Sequence, residues 1–204
     1  FADPDRTLSN FHDCVNTLGG RSVFYQLLAE SEKALLLILE ICGRSTYAIE
    51  VLRAYPSLFD EVIDAILTGY GFDHRSLAAA AGEIARGRPD PGEGLFEFKY
   101  LHFLLIAFRD LDRTLNLNSC MHALAEVADA VLAAALDLAR EKVPDPSLEF
   151  LILALGKLGG EELNYRSDLD LVFLYRAPAP EDPSDAALIQ ERAHRTAQEI
   201  LNRL

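Results

Sequence analysis

Pro144 and Pro146 divide the chain into stretches of unlike periodicity, and this change limits the fold more than any other feature of the sequence. Ahead of them, apolar residues recur at three- and four-residue spacing, the mark of amphipathic helices. After them come two short, strongly apolar runs, 148–155 and 168–175, separated by a glycine-containing segment. A proline lacks a backbone donor and biases its predecessor away from helix, so the pair ends one kind of structure and opens another.

The helical part subdivides by its own punctuation. Over 7–18, Leu8, Phe11, Val15 and Leu18 form a stripe closed by Gly19 and Gly20. Segment 21–42 breaks at Ser31, an N-cap candidate, and stops before Gly43. Ser45 can cap a short helix that ends before Pro56. Ser57 with Asp60 fits a capping box, and Gly69 closes that helix. Residues 74–86 are Ala-rich and helical, and 87–94 read as a turn or linker. Longer helices follow over 95–113 (Phe98, Leu101, Leu105 and Phe108, then Asp112) and 120–142 (Leu124, Val127, Val131, Ala135 and Leu138). Such faces must be buried against one another, so a mainly α chain with a helical bundle over 1–143 is expected.

The second part, 148–204, reads as a strand, a glycine turn with one helical turn, a second strand over Asp168–Tyr175, a Pro-rich loop (177–183) and a helix over 185–203. This is the start of an α/β domain. Residues i and i+2 of a strand share a face, so Asp168 and Asp170 present two carboxylates together while Leu169 and Leu171 point the other way. Like charges that close favour a cation between them. Mg²⁺ suits the pair, because it takes hard oxygen ligands and shares them with substrate phosphates. Gly159 and Gly160 can adopt φ values closed to other residues and let a phosphate approach the backbone. Lys157 adds a positive charge and Ser167 a hydroxyl nearby. Neither a Walker A loop nor Gly-x-Gly-x-x-Gly is present. A lone Asp-x-Asp is most often a solvated strand end, and a lone Gly-Gly is a turn. Both together, leading into an apolar strand, point to a metal–phosphate site.

Other features narrow the class. Thirty-two acidic residues against 19 basic ones give a net charge of −13, which disfavours a phosphate-backbone surface, so no nucleic-acid partner is expected. Cys14, Cys42 and Cys120 form no CxxC pair and read as small buried residues in a reducing cytoplasm. No apolar run approaches the roughly 18 residues of a membrane span. The acidic N-terminus lacks Met and reads as a piece of a longer chain, not a signal peptide. His12, His74, His102, His122 and His194 show no metal-ligand spacing and read as surface or half-buried residues. Asp110 and Asp112 repeat the Asp-x-Asp letters, but on a helix they face different ways.

The stretch from Leu155 to Tyr175, LGKLGGEELNYRSDLDLVFLY, resembles the signature of the glutamine synthetase adenylyltransferases, in the polymerase-beta-like nucleotidyltransferase superfamily. The segments at Asp3–Phe11 (DPDRTLSNF), Gly20–Glu30 (GRSVFYQLLAE) and Ile41–Ser45 (ICGRS) resemble the helical region that precedes that family's catalytic domain. The resemblance implies transfer of AMP from ATP to a tyrosine of glutamine synthetase, with Mg²⁺, and removal of that AMP by phosphorolysis in the enzyme's other half. The wording around Asn164–Asp168 favours the adenylylating half; the deadenylylating half and a non-catalytic helical interaction module are the alternatives. A PII regulatory protein is a further implied partner. By position Asp168 and Asp170 would be catalytic and hold the metal, and Gly159 and Gly160 would contact phosphate. The superfamily also uses a third carboxylate on a later strand. Asp182, Asp185, Glu191 and Glu199 lie in a loop or helix and substitute poorly, so these 204 residues alone are expected to be inactive.

Overall fold

The computed structural model describes residues 3–17, 22–68 and 76–204. Two compact units emerge, one of residues 1–72 with 100–120, the other of 73–99 with 121–204. The first holds α1 (Pro4–Thr17), α2 (Ser22–Glu30), α3 (Glu32–Arg44), α4 (Thr46–Ala54), α5 (Leu58–Thr68) and the C-terminal half of α7 (Pro91–Leu111). The second holds α6 (Leu77–Arg86), the start of α7, most of α8 (Leu117–Lys142), β1 (Glu149–Ala154), α9 (Gly156–Gly159), β2 (Leu171–Arg176) and α10 (Pro183–Leu201).

The helix boundaries follow local chemistry. Ser31 sits in extended backbone and its Oγ accepts from the Ala34 N–H at 3.2 Å, which starts α3. Ser45 does the same for α4 through the Ala48 N–H at 3.1 Å. Both caps satisfy donors that the first helical turn leaves unpaired. α7 starts at Pro91, inside the stretch expected to be a linker, because proline's fixed φ suits the first helical turn. The proposed closures at Gly19–Gly20 and Gly69, and His74, lie outside the described residues.

In the first unit, Cys14, Val15, Ile38, Ile41, Leu52, Leu58, Val62 and Leu104 belong to one buried cluster. The α1 stripe departs from expectation at Leu8, which is 67% exposed; Thr7 is buried instead and bonds back to the Asp3 carbonyl. Arg6 and Asn10 donate to the carbonyls of Gly43 and Cys42, tying α1 to the end of α3. α7 is not simply striped. Residues 102–108 are buried without interruption, two turns enclosed on every side, so His102 is a core residue and not the surface or half-buried one expected.

In the second unit, α8 buries the stripe expected of it, Leu124, Val127, Val131, Ala135 and Leu138. α8 is long and apolar enough to cross a membrane by length and composition, but most of its apolar window is buried within the molecule. β1 and β2 pair antiparallel, with Phe150 opposite Tyr175, Ile152 opposite Phe173 and Ala154 opposite Leu171. Phe150 and Phe173 pack with ring centroids 5.8 Å apart on the inner face. The other face exposes Leu151, Leu153, Val172 and Leu174. α10 is capped by Asp182, whose carboxylate accepts from the Ser184 and Asp185 N–H groups, and buries Ala193, Thr196 and Ile200. Lys142 of α8 pairs with Glu199 of α10 at 2.9 Å, and Arg192 of α10 pairs with Asp145 ahead of β1 at 2.9 Å.

Candidate active site

The paired strands carry the candidate residues at one end. β2 begins at Leu171, so Asp168 and Asp170 precede the ladder instead of opening the strand as expected. The ladder still reaches Asp170, whose carbonyl accepts from the Leu155 N–H at 2.8 Å. Exposure alternates through this segment: Asp168, Asp170, Val172 and Leu174 are exposed, while Leu169, Leu171 and Phe173 are partly covered. The two carboxylates therefore lie on one face, continuous with the open apolar face of the sheet. Among the described residues, neither is held by an ion pair or hydrogen bond. Two uncommitted hard-oxygen donors on one face fit a magnesium ion, which binds through one or two carboxylates and completes its shell with water and phosphate. Among the described residues no group of three or more His, Cys, Asp or Glu side chains is placed to hold a metal.

α9 is the single helical turn expected between the strands. Its glycines serve different ends from those the sequence suggests. Gly160 has φ −92, and the left-handed conformation belongs to Gly156, at φ +55. A Cβ on Gly156 would overlap the Asp170 carboxylate, so the absent side chain is what lets that carboxylate lie against the start of α9. A Cβ on Gly159 would stand 2.5 Å from the Ala154 carbonyl oxygen, so Gly159 allows α9 to fold onto the end of β1. The Gly159 and Gly160 N–H groups donate to the carbonyls of Leu155 and Gly156, at 3.0 and 3.1 Å. Those two amides close the turn itself.

The remaining candidates have defined places. Lys157 is exposed on α9 and its carbonyl accepts from the Glu162 N–H at 2.8 Å. The Ser167 hydroxyl accepts from the Asn164 N–H at 3.1 Å, and the Asn164 side chain accepts from the Arg166 N–H at 3.0 Å. Ser167 thus shapes the bend that delivers the chain to Asp168, and its proton stays available to another acceptor. Leu158 and Leu163, both buried, pin the turn on either side of Gly160.

Two features escaped the sequence. Gly156 lies three residues ahead of the Gly-Gly pair, and only the register of β2 brings Asp170 against it. His122 of α8 donates through Nδ1 to the Glu161 carboxylate at 2.8 Å, and its Nε2 lies 3.6 Å from Glu126. Glu161 is itself left-handed, at φ +55, a conformation that costs a side-chain-bearing residue about 1–3 kcal/mol. Nearby, burial first and then the Glu161 and Glu126 charges push the Asp129 carboxyl above its ordinary range, while His122 opposes the shift.

Comparison with known proteins gives the class first. Residues 35–204 match the family model described as glutamate-ammonia ligase adenylyltransferase, a family of nucleotidyl-transferring enzymes. A bifunctional glutamine synthetase adenylyltransferase/adenylyl-removing enzyme of Neisseria meningitidis serogroup A is 34% identical over 186 residues, covering 88% of this chain and 21% of its own length. Relatives of the same description from Pasteurella multocida (33% identical; 77% of this chain, 17% of theirs) and Methylococcus capsulatus (31%; 90% and 21%) also match. The chain belongs to the glutamate-ammonia ligase adenylyltransferase family. It spans about a fifth of the length of the curated relatives it matches.

Proposed function

We propose that this chain supplies the carboxylate pair and phosphate-side turn of an enzyme that transfers AMP from ATP to a tyrosine of glutamine synthetase. The observation that carries the reading is the exposed, uncommitted pair Asp168 and Asp170, with Asp170 seated against the side-chain-free start of α9. In the reaction the tyrosine hydroxyl gives its proton to solvent, its oxygen forms a bond to the α-phosphorus, the bridging P–O bond to the β-phosphate breaks, and pyrophosphate leaves. Asp168 and Asp170 would hold Mg²⁺, which when bound neutralises phosphate charge. Lys157, exposed on α9, would add positive charge near the turn. The helices would dock glutamine synthetase, and a PII protein would set the balance of activities.

The test is Mg²⁺-dependent transfer of labelled AMP from ATP to glutamine synthetase by the full-length protein. Label that disappears in Asp168→Asn and Asp170→Asn variants supports the reading. The relatives' names join adenylyl transfer with adenylyl removal, which favours phosphorolysis as the second reading. Absence of labelling, with phosphate-dependent release of AMP from modified glutamine synthetase, would move the assignment there. Binding to glutamine synthetase without either reaction would leave a helical interaction module.

A further inference from the structure

We propose that His122 and Glu161 are a positioning pair that holds the C-terminal side of α9 to α8 and so sets the nucleotide geometry beside Asp170. The inference rests on the adenylyl-transfer reading and adds residues that lie outside the sequence motif's glycines and aspartates.

Besides the buried Leu158 and Leu163, α9 has a polar anchor at each end. α9 is held at its start by the Leu155 amide on Asp170 and by the close approach of Gly156 to that carboxylate. Its far side continues into Glu161, whose backbone lies in the left-handed region where glycine is the usual occupant. A glutamate there is explained by what its side chain does: its carboxylate accepts from His122 Nδ1 at 2.8 Å, reaching a helix 39 residues earlier in the chain. The backbone at Glu161 is closed as well, its N–H donating to the Leu158 carbonyl at 3.0 Å. Both strained backbone and side chain thus fix the same turn. Lys157 lies on α9 between its start and Glu161, so loosening Glu161 is expected to displace Lys157 relative to the Gly156–Asp170 contact. Neither His122 nor Glu161 touches substrate in this account; they act through α9.

The experiment uses the full-length protein with ATP, Mg²⁺ and glutamine synthetase, and follows KM for ATP separately from kcat. His122→Ala is expected to raise KM for ATP about fivefold to tenfold with kcat within about twofold, since it loosens a binding element and spares the carboxylates. Glu161→Gly is expected to do the same even though it relieves the backbone and preserves the fold. His122→Gln, which keeps a donor, is expected to recover most of the loss. The double variant should be no worse than either single one, as befits two halves of one contact. An unchanged KM in His122→Ala and Glu161→Gly overturns the proposal. So does a fall in thermal stability with no change in KM, which would make the contact structural only. Asp168→Asn run alongside separates the two levels. If it abolishes transfer while His122→Ala leaves KM unmoved, the pair is wrong and the adenylyl-transfer reading stands. If Asp168→Asn retains full transfer, that reading itself fails.

Discussion

Gly156 and Gly160 sit four residues apart in the same turn and answer to different constraints. Gly156 is left-handed and has the Asp170 carboxylate where a Cβ would be. Gly160 has an ordinary φ, and a Cβ there would come no closer than 3.5 Å to its neighbours. Gly156→Ala is therefore expected to destabilise by about 1–3 kcal/mol and, on the proposed reading, to lower AMP transfer in the full-length protein by displacing Asp170. Gly160→Ala should change stability by less than about 1 kcal/mol. Urea denaturation of the two variants side by side checks the contrast, and equal losses would refute it. The cysteines give a second test at this scale. All three are buried and free. Burial, reinforced by the Asp110 carboxylate, pushes the Cys120 thiol up to about 11. Since the thiolate is the reactive form, alkylation of Cys120 in the native protein should stay slow at pH 8 and accelerate only as pH approaches that value. Rapid labelling at pH 8 would contradict the placement.

Capping and ion pairs act on whole elements. Ser31→Ala and Ser45→Ala each remove the bond that starts a helix and should cost about 1 kcal/mol, read by thermal unfolding. α10 is held by Asp145–Arg192 and Glu199–Lys142. Hydrogen bonds from Ser147 and then Arg192 hold the Asp145 carboxyl below its ordinary range, and Lys142 and then Arg203 do the same for Glu199. A carboxyl whose pKa is depressed on folding contributes stability above its unfolded pKa of about 4, and loses it as pH falls through the depressed value. The basic partners, Arg192 and Lys142, are exposed while the carboxylates are largely covered, and solvent screening at the exposed ends keeps each contribution modest. Helicity monitored by circular dichroism should therefore fall in acid below about pH 4, and Asp145→Asn combined with Glu199→Gln should flatten that dependence. An unchanged acid profile would exclude these pairs as its source.

At the scale of the whole molecule, the first unit is built on one contiguous buried cluster. Leu104 of α7 is fully buried within it, and Leu104→Ala should cost about 2–5 kcal/mol in chemical denaturation, the range for a core cavity that relaxes incompletely. Much of this organisation was legible beforehand because it is local. The serine caps, the α8 stripe, the turn after β1 and the helix that follows the Pro-rich loop each arise from residues a few positions apart, whose hydrogen bonds and faces are set by spacing. The carboxylate pair was legible for the same reason, since alternation along extended backbone puts residues 168 and 170 on one side. What depended on partners distant in sequence was not. The enclosure of α7 over 102–108, which buries His102 and blurs any stripe, follows from what surrounds the helix. The approach of Asp170 to Gly156 depends on where β2 registers against β1, and the His122–Glu161 contact joins residues 39 apart. Sequence by itself determined the kinds of element, the serine-capped starts of α3 and α4, and the pairing of two carboxylates on one face beside the sheet. Tertiary structure alone decided which glycine makes room for the carboxylate and which helix holds the turn, because those answers depend on the distance between atoms that only folding brings together.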